Sequence, residues 1–188
     1  MSTITLEDKH AKVSQFLEKV NLDLQGIWSE TAEAYFLKLM GNRSQQKKTS
    51  KGMQSFLNAS IEERLVSRGW LDNYGWFRHG NFVLRISFRH KMSLGSDFFD
   101  ALRLLNSEGV ENVLLVYLAK DDYEVVNSDE QSTLCSFEQA VVLKNLTKDI
   151  IGDRISVGRF HLQGVLEPSI HKEIYSKARL DSPRGPIL

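Results

Sequence analysis

Six consecutive apolar residues, Val113-Leu114-Leu115-Val116-Tyr117-Leu118, constrain the fold of this chain more than any other feature. A strand sends successive side chains to opposite faces, so a run that is apolar at every position needs cover on both. Such a strand belongs at the centre of a sheet. The run is also far too short to span a membrane, and the polar N-terminus does not read as a signal peptide. The one cysteine, Cys135, permits neither an internal disulfide nor a cysteine-based metal site. The expected setting is therefore a reduced cytoplasm. A length of 188 residues, 41% of them hydrophobic, suits one domain with a full core.

A second segment is one-sided. Phe82, Leu84, Ile86 and Phe88 alternate with Val83, Arg85, Ser87 and Arg89, so one face is apolar and the other ends polar and cationic. With the strand-like stretch Leu71–Phe77 and a turn at His79-Gly80-Asn81, it predicts a hairpin. Upstream the period is helical: Leu6–Val20, a helix capped by Ser29 and stopping at Gly41, and a longer one from about Gly52 to Arg68 closed by Gly69. Asn42–Lys51 reads as a polar loop. Downstream, Ser96 or Asp97 caps a helix through Leu105, Lys120–Thr133 is an acidic loop, and Ser136-Phe137-Glu138-Gln139 is a capping box opening a helix to about Leu146. Ile155–Leu162 is a further strand, and Asp181–Leu188 reads as a frayed tail. The expectation is one mixed α/β domain over residues 1–188: mainly helical over 1–69, a sheet core over 70–163, and a C-terminal extension over 164–188.

The net charge of zero hides a segregation. Residues 41–91 hold 10 basic side chains against 3 acidic ones, and residues 92–130 hold 2 against 9. Such a dipolar surface suits docking of a polyanion on the positive side. The same segregation is equally met if the two blocks pair with each other in the fold. Several chemistries drop out. Gly41 and Gly52 lack the Lys-Ser/Thr of a phosphate loop, and no two of the five histidines bracket a glutamate at zinc-hydrolase spacing. Cys135 lies just before a helix, where a dipole lowers a thiol pKa, although a small buried cysteine accounts for it as well.

The order of elements then carries a resemblance. Arg68-Gly69-Trp70 after a helix, the hairpin, Ile86-Ser87-Phe88, the helix Ser96–Leu105, the strand Gly109–Leu118, the helix Ser136–Leu146 and the strand Arg154–Leu162 resemble type II restriction endonucleases that cut around GATC, the Bgl and Bam types of the PD-(D/E)XK nuclease superfamily. The resemblance covers roughly residues 50 to 163. It implies a restriction-endonuclease-like central mixed sheet flanked by helices, acting as a homodimer on double-stranded DNA with magnesium as cofactor. In that family an aspartate on the first hairpin strand and a Glu-x-Glu or Glu-x-Gln pair on the second hold the metal. The corresponding positions here are Trp76 for the aspartate, and Arg85 and Ser87 for the pair.

Three readings follow. In the first, the chain is a catalytically degenerate relative that grips DNA through Arg43, Lys47, Lys48, Lys51, Arg85, Ser87, Arg89 and Lys91, with Arg85 meeting a phosphate where a metal would sit. In the second, a rearranged site of Glu63, Asp72 and Asp100, with Lys91 or Lys51 beside it, holds magnesium and cuts. In the third, the acidic 92–130 segment docks a basic protein partner, making the chain an accessory subunit of a restriction-modification or defence system. Asp97 and Asp100 read most simply as a cap and a first-turn charge, and Glu62 and Glu63 lie on the helix that supplies a supporting acid in some relatives.

Overall fold

A computed structural model describes residues 3–7, 11–44, 53–88, 92–107, 109–126, 135–162 and 169–174. Its centre is the strand that the sequence marks as apolar on both faces. This strand, Asn112–Leu118, is buried at every position. In chain order the elements are β1 (Ile4–Leu6), α1 (Ala11–Asp23), α2 (Ile27–Ser44), α3 (Met53–Ser67), β2 (Leu71–Asn73), β3 (Trp76–His79), β4 (Phe82–Ile86), α4 (Ser93–Leu105), β5 (Asn112–Leu118), α5 (Tyr123–Val126), α6 (Phe137–Ile151) and β6 (Ile155–Phe160). The six strands form one mixed sheet in the order β1-β6-β5-β4-β3-β2. The inner three, β4, β5 and β6, are parallel; β1 and β3 run antiparallel to their neighbours β6 and β4, and β2 runs antiparallel to β3.

The alternation of β5 sorts the core into two layers. Leu114, Val116 and Leu118 pack with residues of α1, α2 and α3, whereas Val113, Leu115 and Tyr117 pack with residues of α4 and α6. Each fully buried side chain of this size contributes on the order of 1.5–3 kcal/mol, so the two-sided strand anchors both layers. The mixed α/β fold with a helix-flanked mixed sheet is thus as the sequence leads one to expect. Among the described residues no helix is long and apolar enough to cross a membrane.

Several boundaries differ. Leu6 does not start a helix: it ends β1, which pairs with β6 through Ile4↔Phe160 and Leu6↔Gly158. A three-residue edge strand is too short to show alternation, so its pattern is absorbed by the helix that follows. Ser29 is not a cap. The helix begins at Ile27, after Gly26 at φ +76°, and the Ser29 hydroxyl donates to the Gly26 carbonyl. It continues past Gly41 to Ser44.

The first hairpin strand is in fact two strands. A tight turn at Tyr74-Gly75 breaks Leu71–Phe77, with φ +54° at Tyr74 and +80° at Gly75, so β2, β3 and β4 form a meander. Positive φ at both central positions is the mirror-image turn whose twist matches flanking strands. Two further corrections lie later in the chain. Lys120–Asp122 is a 3₁₀ turn leading into α5, within the stretch expected to be a loop. Helix α4 opens at Ser93, which places Ser96 and Asp97 inside it rather than at its cap. The capping box at Ser136 forms as expected, with Gln139 N–H donating to Ser136 Oγ and the Gln139 side chain accepting from Ser136 N–H. The expected tail Asp181–Leu188 lies outside the described residues.

Candidate functional site

Arg85 stands on the same face of β4 as Val83, toward α4, and the register sets it directly across from Trp76 on β3. Its side chain is held from several directions. The guanidinium Nε lies 3.6 Å from Asp97 Oδ1, and Nη1 donates to the Tyr74 carbonyl at 2.8 Å. The guanidinium carbon lies 5.2 Å from the centre of the Trp76 ring, within cation–π range. A Cβ at Gly75 would run into this guanidinium, so the turn is glycine for space as well as for its positive φ. Arg85 and Asp97 are each only 3% exposed.

Asp97 also accepts a long hydrogen bond from the Tyr117 hydroxyl at 3.5 Å. Burial, and then the Asp97 charge, push the Tyr117 phenol well above its ordinary value. Cys135 is buried on the same side, and burial followed by Asp97 pushes its thiol up to about 11. Ser87 continues the same face, its N–H bound to the Val116 carbonyl; its buried hydroxyl has no hydrogen-bond partner among the described residues. The result is a buried polar cluster of one cation, one anion and neutral hydroxyl and thiol groups. The fold keeps both hydroxyl and thiol protonated, so the cluster's charges cancel.

A small cleft of about 70 Å³ opens between α3 and the meander, lined by Asn58, Ile61, Glu62, Gly75, Phe77 and Arg85, with Ile86 and Phe88. Glu62 supplies its carboxylate. Glu63, the neighbouring acid named as a metal candidate, is exposed and does not line the cleft. The spacing explains the difference. Met53, Leu57, Ile61 and Leu65 are the buried positions of α3; Glu62 and Glu63 are both exposed, and Glu62, next to Ile61, borders the cleft.

The other sequence candidates are dispersed. Asp72 is exposed and its carboxylate accepts from Gly75 N–H at 2.7 Å, pinning the turn. Asp100 lies 3.8 Å from Arg103 one turn along α4. Among the described residues no three carboxylate, imidazole or thiol side chains come together as a metal group. The donor set at Trp76, Arg85 and Ser87 is an indole, a guanidinium and a hydroxyl, so the residues present do not fit a magnesium ion. Of the residues expected to touch DNA, Arg85 and Ser87 are buried. Arg43 lies on α2, and Lys47, Lys48, Lys51, Arg89 and Lys91 lie outside the described residues.

The pairing of the basic and acidic blocks, one of the two charge readings, is realised at Arg85–Asp97. Arg78, another member of the basic block, donates to the carbonyls of Gly80 and Gly109, and Arg64 pairs with Glu30. Sequence reasoning missed the role of Asp97, although its signal was present. Asp97, Ala101 and Leu105 recur at four-residue spacing on the buried stripe of α4, so the aspartate had to face the core.

No family model matches this sequence, and no curated protein matches it. Among solved structures the chain is similar to the restriction endonuclease BglII, whose structure was determined in complex with a DNA 16-mer. The identity is 14% and the TM-score 0.45, over 55% of this chain and 54% of that one. The match therefore spans about half the length of that enzyme.

Proposed function

We propose that this chain is a restriction-endonuclease-like protein that binds duplex DNA as a homodimer and does not cut it. The observation that carries the reading is the Arg85–Asp97 pair. At the strand position where the resembled nucleases place a metal-holding carboxylate, this chain buries a guanidinium and neutralises it with its own aspartate. With Asp97 engaged by the guanidinium, the position offers a divalent cation neither a net negative charge nor a set of oxygen ligands. The two-metal and one-metal routes to activating water both need what this site lacks.

Binding is supported by the surplus of basic residues over 41–91. Lysine and arginine at phosphates release counterions, which makes affinity fall steeply with salt. Association of two copies is supported by α6, which leaves Val142, Leu146 and Ile150 exposed at four-residue spacing on one stripe. A stripe of this kind on a surface helix is ordinarily covered.

Two assays test the reading. Labelled duplex titrated with the protein at rising salt is expected to show affinity that declines linearly on logarithmic axes; no binding at low salt overturns the proposal. Supercoiled plasmid incubated with Mg²⁺ or Mn²⁺ is expected to stay supercoiled. Nicked or linear product, abolished by Asp72→Ala or Glu62→Gln, makes the chain a nuclease instead.

A further inference from the structure

The turn that Arg85 holds carries a residue which folding alone does not explain. Tyr74 occupies the first central position of the β2–β3 turn at φ +54°, the one non-glycine residue with positive φ among the described residues. Glycine, asparagine and aspartate adopt that conformation at little cost, whereas a bulky side chain is strained in it. The tyrosine gets no packing in return: it is 92% exposed, the most exposed large hydrophobic side chain described. Yet the turn beneath it is held rigidly. Arg85 binds the Tyr74 carbonyl from below, Asp97 fixes Arg85, and Asp72 binds Gly75 N–H from the side. A strained backbone that its surroundings over-determine, presenting an aromatic ring to solvent, is the pattern of a contact residue.

We propose that Tyr74 is a DNA-contacting residue, its ring stacking on a base or wedging against base edges in a groove, with Arg85 and Asp97 as its positioning residues. This rests on the duplex-binding reading and deepens it. The buried ion pair then has a use in place of metal binding: it sets the angle at which the turn tip meets the nucleic acid. An aromatic contact of this kind is insensitive to salt, unlike a phosphate contact. A rigid turn loses little conformational freedom on binding, which favours affinity.

The test compares wild type, Tyr74→Phe and Tyr74→Asn in titrations of a labelled duplex across a salt series, with thermal unfolding and molecular mass measured alongside. Asparagine suits the turn, so Tyr74→Asn is expected to unfold no earlier than wild type. It is expected to bind about tenfold more weakly with an unchanged salt slope, whereas Tyr74→Phe binds within about twofold of wild type. If wild type binds and Tyr74→Asn binds equally well, the inference fails and the duplex-binding reading stands. If wild type does not bind at low salt, both fail. If Tyr74→Asn instead loses self-association and keeps its DNA affinity, the tip is a subunit contact and the inference is overturned.

Discussion

At the scale of single residues, the chemistry of this protein turns on what a buried charge faces. Arg85 and Asp97 are both shielded from water, so their attraction is scarcely screened. Removing one partner strands the other. Asp97→Ala is therefore expected to destabilise the fold by about 3–5 kcal/mol, read as a shift of the urea midpoint at unchanged slope. A loss below about 1 kcal/mol would mean that water reaches the guanidinium.

Cys135 gives a second prediction at this scale. Its thiol rises from 9.0 to about 11 because burial disfavours the thiolate. The folded state thus holds the proton more tightly than the unfolded chain. The resulting stability is complete below the unfolded value and is lost as pH climbs from 9 through 11. Iodoacetamide at pH 8 is expected to leave the native thiol unmodified and to react once urea unfolds the chain. Rapid native labelling would contradict this.

At the scale of elements, local signals hold where the pattern is long and fail where it is short. The capping box of α6 and the two-sided strand β5 stand where their residues place them, because each signal is complete within a few neighbouring residues. Ser136→Ala removes the acceptor for Gln139 N–H and is expected to cost about 1 kcal/mol of stability, measurable by urea unfolding. Leu71–Phe77 reads as one strand-like stretch in the sequence, yet the Tyr74-Gly75 turn divides it. The Tyr74-Gly75 pair has only one residue that signals a turn, and the tyrosine takes positive φ under the hold of Arg85 and Asp72. Asp97 reads as a cap in the sequence because aspartate favours helix starts. The helix in fact opens four residues earlier, and packing against β4 and β5 outweighs the capping preference.

At the scale of the whole molecule, the sheet separates two surfaces of different character. One layer, formed by α1, α2 and α3, borders the cleft beside the β2–β3 turn, and the other, formed by α4 and α6, exposes the apolar stripe of α6. Under the proposed function, DNA contact and self-association fall to separate parts of the fold. Leu146, 78% exposed at the centre of the stripe, is the residue to probe. Light scattering is expected to report a dimer for wild type and a monomer for Leu146→Glu, with thermal stability kept because the side chain is already in water. A monomeric wild type at micromolar concentration would remove the dimer from the proposal.

What the sequence by itself determined is most of the sort and order of the elements: helices, then a hairpin, then helices alternating with strands. The edge strand β1 and the division of the first hairpin strand into β2 and β3 emerge only in the fold. Periodicity is a local property, and a strand buried on both faces is marked by every one of its residues. The sequence also determined which side of β4 Arg85 occupies, since alternation leaves no choice. Only the tertiary structure decided what waits on that side. Asp97 lies twelve residues further on, on a helix whose placement depends on core packing that no spacing rule records, and it meets Arg85 before any phosphate or metal can. A charge declares its sign in the sequence; its partner is chosen by the fold, because pairing energy depends on distance and burial, and those are set by the packing of the whole chain.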